Sequence, residues 1–187
     1  MFKEALQKAV AVLDSLRVPY ALIGGLAVDA YGGTRLTKDI DFLIDWSISD
    51  AKSLAQTLTE SGFPAEARRG DIHDPVPGVI RMDISVGEAT VRCDLLFPSK
   101  AWHREAVRVA SRVELEGLGL PIVQAGHLFL LKLEAGGTLD LYDAAQLLIL
   151  QSSEERERWK QLASEHRLSK AFKACLQFLP RTLPDRP

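Results

Sequence analysis

The sequence predicts an α+β fold: a mixed β-sheet with flanking helices, followed by a C-terminal helical bundle. Three observations lead there. Up to residue 123, short apolar strand patterns are interleaved with helical ones. From residue 124 onward the apolar residues recur only at helical spacing. The 187 residues suffice for one domain, or for one domain with a helical annex. The expected division is a core over 1–123 and a helical part over 124–187 packed on it.

The elements follow in order. Residues 2–16 read as an amphipathic helix, because Leu6, Val10, Leu13 and Leu16 recur at three- and four-residue steps, and Pro19 ends it. "YALIGG" is a buried strand that stops at Gly24 and Gly25, and 26–31 suits a short helix closed by Gly32 and Gly33. "DIDFLID" is a second strand. Ser49 reads as the N-cap of a helix running to about Glu60, with Gly62 just past its end. Strands are predicted near 64–68, 79–85 and 89–97, with a loop at "GDIHDPVPG" and a hairpin turn around Gly87. A helix near 99–109 precedes a hairpin, "SRVELEGLGLPIV", with Gly117 and Gly119 in its turn. Helices are then expected over 125–135, 138–151, 153–165 and 168–179, the third opened by a serine cap with acidic residues in its first turn.

Composition narrows the class. Apolar residues make up 47% and charged residues 26%, the profile of a globular chain. A net charge of −2 and a pI near 6.1 exclude a protein that coats nucleic acid by bulk charge, though not one with a local basic groove. Cys93 and Cys175 stand far apart in apolar patterns, outside any CxxC or metal-ligand spacing, and are expected to be buried thiols. No apolar run approaches a membrane span, and the N-terminus lacks a signal-peptide core, so the expectation is a cytoplasmic protein with no membrane partner.

Asp39-Ile40-Asp41 sits in an apolar strand. Alternation puts Asp39 and Asp41 on one face, with Ile40 and Phe42 on the other. Two like charges so placed resist ionisation together unless a cation lies between them. Taken alone, the pair also suits an edge strand with a solvated acidic face. Three neighbours favour the cation. Gly24-Gly25, at a strand end leading into a helix, would expose backbone N–H groups suited to phosphate, although such a pair taken alone also suits a plain tight turn. "ATVRCDLLF" turns Arg92, Asp94 and Leu96 to one face and Val91, Cys93, Leu95 and Phe97 to the other, so Asp94 is a third acid in an apolar strand. Asp83 competes for that third position; Asp94 is preferred because its strand reads as more central. Three carboxylates can hold two Mg²⁺ ions for in-line displacement at phosphorus. Arg35 and Lys38 lie between the glycines and the acids, where cations could contact a triphosphate or simply form a solvated loop pair.

The pattern Gly24-Gly25, then Asp39-Ile40-Asp41, then Asp94 resembles the DNA polymerase β-type nucleotidyltransferase superfamily. The string "GGLAVDAYGGTRLTKDIDFLI" most resembles the stand-alone prokaryotic branch that includes the AbiEii-type toxins of toxin–antitoxin systems. "LKLEAGGTLDLYD" resembles the downstream motifs of that branch. On that match Lys132 contacts phosphate or substrate, and Asp140 and Asp143 form an acidic pair, with Asp143 at the nucleotide. Gly136-Gly137 and Leu139 stand where the branch usually carries basic residues. The other reading makes Lys132 a snorkelling surface lysine and Asp140 a first-turn acid.

The resemblance implies a nucleotidyltransferase that moves a nucleoside monophosphate from an NTP to a hydroxyl, with Mg²⁺ or Mn²⁺ as cofactor. Asp39, Asp41 and Asp94 would hold the metals, Gly24 and Gly25 the β- and γ-phosphates, and Asp94 would accept the proton. RNA, especially the tRNA 3′ end, is the expected acceptor, with a partner protein second and a small molecule such as an aminoglycoside third. Arg104, Arg108 and Arg112, and Arg156 with Lys160, fall at four-residue spacing that suits an RNA backbone or a solvated helix face. A catalytically silent binding module, antitoxin-like, and a metal-dependent phosphohydrolase are the alternatives from other classes. The silent module is disfavoured by the intact acids. The phosphohydrolase is disfavoured because His73-Asp74 is a lone pair.

Overall fold

A computed structural model of the chain describes residues 1–34, 37–70, 77–115 and 117–180. The chain divides into two compact units. One holds Met1–Ala27 and the stretch ending at Gln124; the other holds a short stretch beginning at Val28 and the chain from Ala125 onward.

The first unit contains α1 (Phe2–Ser15), β1 (Tyr20–Ile23), the start of α2 (Gly24–Ala30), β2 (Ile40–Ile44), α3 (Ala51–Glu60), β3 (Ala65–Arg69), β4 (Gly78–Val86), β5 (Ala89–Leu96), α4 (Ala101–Arg108), β6 (Ser111–Leu115) and β7 (Leu118–Ile122). Among the described residues the strands form one seven-stranded mixed sheet in the order β3-β4-β5-β2-β1-β7-β6. β2 lies parallel to β5 and antiparallel to β1, so it is central. Its burial follows: Ile40, Phe42, Leu43 and Ile44 are all buried.

Alternation decides which face each strand presents. Ile80, Met82, Ile84, Val91, Cys93, Leu95, Ile40 and Phe42 are buried on one face, against which α1 and α3 pack. The helices supply Ala5, Leu6, Ala9, Val12 and Leu13, and Leu54, Ala55 and Leu58. The opposite face, over β4 and β5, carries Arg81, Asp83, Arg92 and Asp94. Cys93 and Cys175 are both buried free thiols, as expected.

Two local expectations are corrected. α2 begins on the glycines rather than after them, because Gly24 takes φ +70 and turns the end of β1 directly into the helix. Ser49 is not the cap of α3. Ser47 caps a 3₁₀ turn over Ile48–Asp50, accepting from the Ser49 N–H at 3.4 Å, and α3 starts at Ala51.

The second unit is helical: α5 (Ala125–Ala135), α6 (Thr138–Ile149), α7 (Ser153–Glu165) and α8 (Ser169–Cys175), with a 3₁₀ turn over Leu176–Phe178. Phe129 anchors its core, its ring 5.0 Å from that of Trp159 and 6.2 Å from that of Phe172. Gly136 closes α5 in the left-handed region at φ +67, with its N–H on the Lys132 carbonyl. The α7 N-terminus carries the expected cap, Ser152 accepting from the Glu155 N–H at 3.3 Å. No helix among the described residues is long and apolar enough to cross a membrane.

Candidate active site

The sheet register assembles the site. Asp41 on β2 stands opposite Ile23 on β1 and opposite Asp94 on β5. Asp94 stands opposite Arg81 on β4, and Arg81 opposite Glu66 on β3. Directly opposed residues share a face, so Ile23, Asp41, Asp94, Arg81 and Glu66 form one row across five strands. Asp39 immediately precedes β2, outside the strand, and is near enough to this face to act on the Arg81 guanidinium. The structure thus brings Asp41 and Asp94 to one face, with Asp39 at the entry of β2. Asp83 is set apart, opposite Arg92.

Gly24 adjoins this row. A Cβ built on it would fall 2.0 Å from Oδ2 of Asp41, so only a glycine lets the chain turn so close to the carboxylate. A cleft of about 370 Å³ opens beside the acids, lined by Asp41, Asp94, Arg68, Arg69, Val79 and Leu96, among others. That volume is in the range of small-molecule sites.

The charges are partly balanced within the fold. Arg81 lies side-on to Asp94, with Nε 3.2 Å from Oδ1 and a terminal nitrogen 3.3 Å from Oδ2. Asp94 holds the Arg81 guanidinium further into its charged form, and Asp39 and Asp83 add to this. Burial pushes the Cys93 thiol well up, helped by Asp41 and Asp94 behind it.

A hard divalent ion takes one or two carboxylates and completes its shell from substrate phosphates and water. Asp39 and Asp41 fit one such ion: both present oxygen ligands, and both are at least partly exposed. A second ion at Asp94 does not fit in the same way, because Arg81 engages both of its oxygens. Among the described residues, no three His, Cys, Asp or Glu side chains are grouped as a metal-holding cluster.

The remaining expected residues are distributed as follows. Gly25 follows Gly24 in the first turn of α2. Lys38 is exposed beside Asp39. Arg35, His73 and Asp74 lie outside the described residues. In the helical unit, Lys132 is not a snorkelling surface lysine. It is only 7% exposed, and its Nζ stands 2.9 Å from Asp140 Oδ1 and 2.8 Å from Asp143 Oδ2. Gly137 makes room there, since a Cβ on it would lie 2.9 Å from Asp140 Oδ2.

The expected basic rows do not form stripes. Arg112 lies on β6 and not on α4, while Arg104 and Arg108 both donate to Asp45. Arg156 donates to the carbonyls of Leu148 and Ile149 at the end of α6, and Lys160 pairs with Glu157.

Sequence reading missed Arg81, although the signal was present. The turn at Gly87-Glu88 sets Val86 opposite Ala89. Counting back from that turn puts Arg81 opposite Asp94. Arg68 and Arg69 at the cleft were missed because nothing in "AEARRG" distinguishes them from a solvated edge strand.

The mixed sheet, its flanking helices and the row of acids define a nucleotidyltransferase fold. The chain resembles the solution structure of the antibiotic-resistance factor ANT(2'')-Ia, with TM-score 0.57 and 15% identity over 93% of this chain and 98% of that one. A crystal structure of ANT(2'')-Ia in complex with adenylyl-2''-tobramycin matches with TM-score 0.55 and 14% identity, over 87% and 96% of the two chains. An antigenic nucleotidyltransferase-like protein from Paracoccidioides brasiliensis matches with TM-score 0.54 and 17% identity, over 97% and 94%. At these identities the likeness is one of fold. A search of curated proteins returns no match. The family model for aminoglycoside-2''-adenylyltransferase matches residues 5–127, and the chain belongs to that family. It is therefore a nucleotidyltransferase enzyme. These matches reach the superfamily expected from the sequence, but none is to its AbiEii-type branch.

Proposed function

We propose that the protein transfers a nucleoside monophosphate from an NTP to a hydroxyl of a small, antibiotic-like acceptor. The observation that carries this reading is the direct opposition of Asp41 and Asp94 on neighbouring strands, beside Gly24, within the family-matched stretch. The cleft at these acids suits a small acceptor. Among fold relatives, ANT(2'')-Ia is a resistance factor seen with adenylylated tobramycin.

Asp39 and Asp41 would hold a divalent ion, which when bound neutralises phosphate charge during transfer. Asp94 accepts the proton of the acceptor hydroxyl. The backbone at Gly24 and Gly25 lets the triphosphate approach Asp41. Lys38 supplies a positive charge beside Asp39, and Arg35 is assigned the same role. Phosphoryl-type transfer depends on such positioning and neutralisation more than on covalent help from the protein.

The RNA or partner-protein acceptor, and with it a place in a toxin–antitoxin system, has less support. The arginines that suggested an RNA stripe are engaged with Asp45 and with helix carbonyls. The test is incubation with Mg²⁺ and each α-labelled NTP against a panel of aminoglycosides, total RNA and buffer alone. Label on an aminoglycoside supports the proposal. Label only on RNA or on the protein itself would overturn the acceptor assignment.

A further inference from the structure

We propose that Arg81 is the built-in counter-cation of Asp94 and takes the place a second metal ion would hold at this site. The inference rests on reading Asp39, Asp41 and Asp94 as the reaction's carboxylates, and it deepens that reading.

The contact is built into the sheet. The turn at Gly87-Glu88 fixes the β4–β5 hairpin, and its register sets Arg81 opposite Asp94. The guanidinium meets the carboxylate side-on, nitrogen to each oxygen, at 3.2 and 3.3 Å. A planar fork matched to a carboxylate leaves neither oxygen aimed only at solvent. The other carboxylate opposite Arg81, Glu66, does not draw it away. Glu66 Oε2 accepts from Nε and a terminal nitrogen of Arg68, at 3.0 and 2.7 Å. Of its two cross-strand carboxylates, Arg81 hydrogen-bonds Asp94.

Charge balance favours the same arrangement. Asp39, Asp41 and Asp94 together carry three negative charges when ionised. One divalent ion at Asp39 and Asp41 and one guanidinium at Asp94 balance them. Two divalent ions beside Arg81 would leave the face with a net excess of two positive charges before substrate enters. Asp94, partnered by Arg81 rather than by a metal, keeps its orientation toward the cleft it lines with Asp41. Arg81 is a positioning residue: it acts through Asp94.

The test counts Mn²⁺ bound per chain by electron paramagnetic resonance, with saturating α,β-methylene ATP and, separately, its GTP counterpart. The comparison is between the native chain, Arg81→Met, Arg81→Lys and Asp41→Asn, each checked for an intact melting transition. The proposal predicts one Mn²⁺ per native chain with at least one of the nucleotides, one for Arg81→Lys, two for Arg81→Met and none for Asp41→Asn. Two ions on the native chain overturn the proposal and leave the carboxylate reading standing. One ion on both the native chain and folded Arg81→Met also overturns it. No ion on the native chain with either nucleotide overturns the carboxylate reading, and the proposal falls with it. If Arg81→Met does not fold, the native count alone decides.

Discussion

Gly24 and Asp41 occupy a space with no room for a Cβ: one built on Gly24 would sit 2.0 Å from the Asp41 carboxylate oxygen. Gly24 also holds φ +70, a conformation that costs a residue with a side chain roughly 1–2 kcal/mol. Gly24→Ala is therefore expected to displace the carboxylate and strain the turn together. Turnover should fall by about tenfold or more, since a displacement of about 1 Å in a reacting group is costly. Steady-state kinetics beside a melting curve checks this. Unchanged turnover would mean that the approach of Gly24 to Asp41 is incidental.

Asp41→Asn and Asp94→Asn remove one negative charge each from a partly exposed row and leave the strand pattern intact. Each should lower turnover on the order of 10²-fold or more, about 2.7 kcal/mol or more of barrier, with little change in melting temperature. Asp83→Asn, opposite Arg92, should change turnover by less than about threefold. Equal losses in all three variants would contradict the assignment of Asp94.

Much of this site was legible in the sequence because strand alternation is a strict two-residue code. The pattern of Val91–Phe97 foretold which face Asp94 takes, and burial of Val91, Cys93, Leu95 and Phe97 agrees. What escaped was pairing. Arg81 becomes visible only once the Gly87 turn is used to fix register. The arginine row failed for a related reason. Four-residue spacing presumes one continuous helix, yet α4 ends at Arg108 and Arg112 begins anew on a strand. Ser49 misses the cap of α3 because a 3₁₀ turn over Ile48–Asp50, capped by Ser47, precedes the helix and leaves Asp50 at its N-cap position, and serine spacing alone does not reveal that extra turn.

Lys132 carries one buried positive charge between two acids, and Asp143 is only 1% exposed. Removing the lysine leaves Asp143 desolvated without its salt bridge to Lys132. Lys132→Met is expected to destabilise the protein by about 3–5 kcal/mol in urea unfolding. Lys132→Met combined with Asp143→Leu should recover most of that loss, because Asp140 is more exposed and stays solvated. A loss below about 1 kcal/mol for the single variant would contradict a buried ion pair of this kind.

Burial raises the Cys175 thiol from 9.0 to about 11. Between those values the folded state keeps the proton while the unfolded state releases it. The unfolded chain then binds fewer protons, so stability falls as pH rises from about 9 to about 11, and this contribution is constant below 9. Native protein should resist a thiol reagent at pH 8 and react at both Cys93 and Cys175 once unfolded, read as thiols titrated per chain. Rapid labelling of the native protein at pH 8 would contradict the burial of both.

If the row at Asp41 and Asp94 catalyses nucleotidyl transfer, each turnover releases one pyrophosphate. Native protein with Mg²⁺, an NTP and an accepted aminoglycoside should release one pyrophosphate for each acceptor that gains the mass of one nucleoside monophosphate less one water. Asp41→Asn, folded to the same melting temperature, should release on the order of 10²-fold less. Release of orthophosphate in place of pyrophosphate, or equal pyrophosphate release by native protein and Asp41→Asn, would rule out nucleotidyl transfer by these acids.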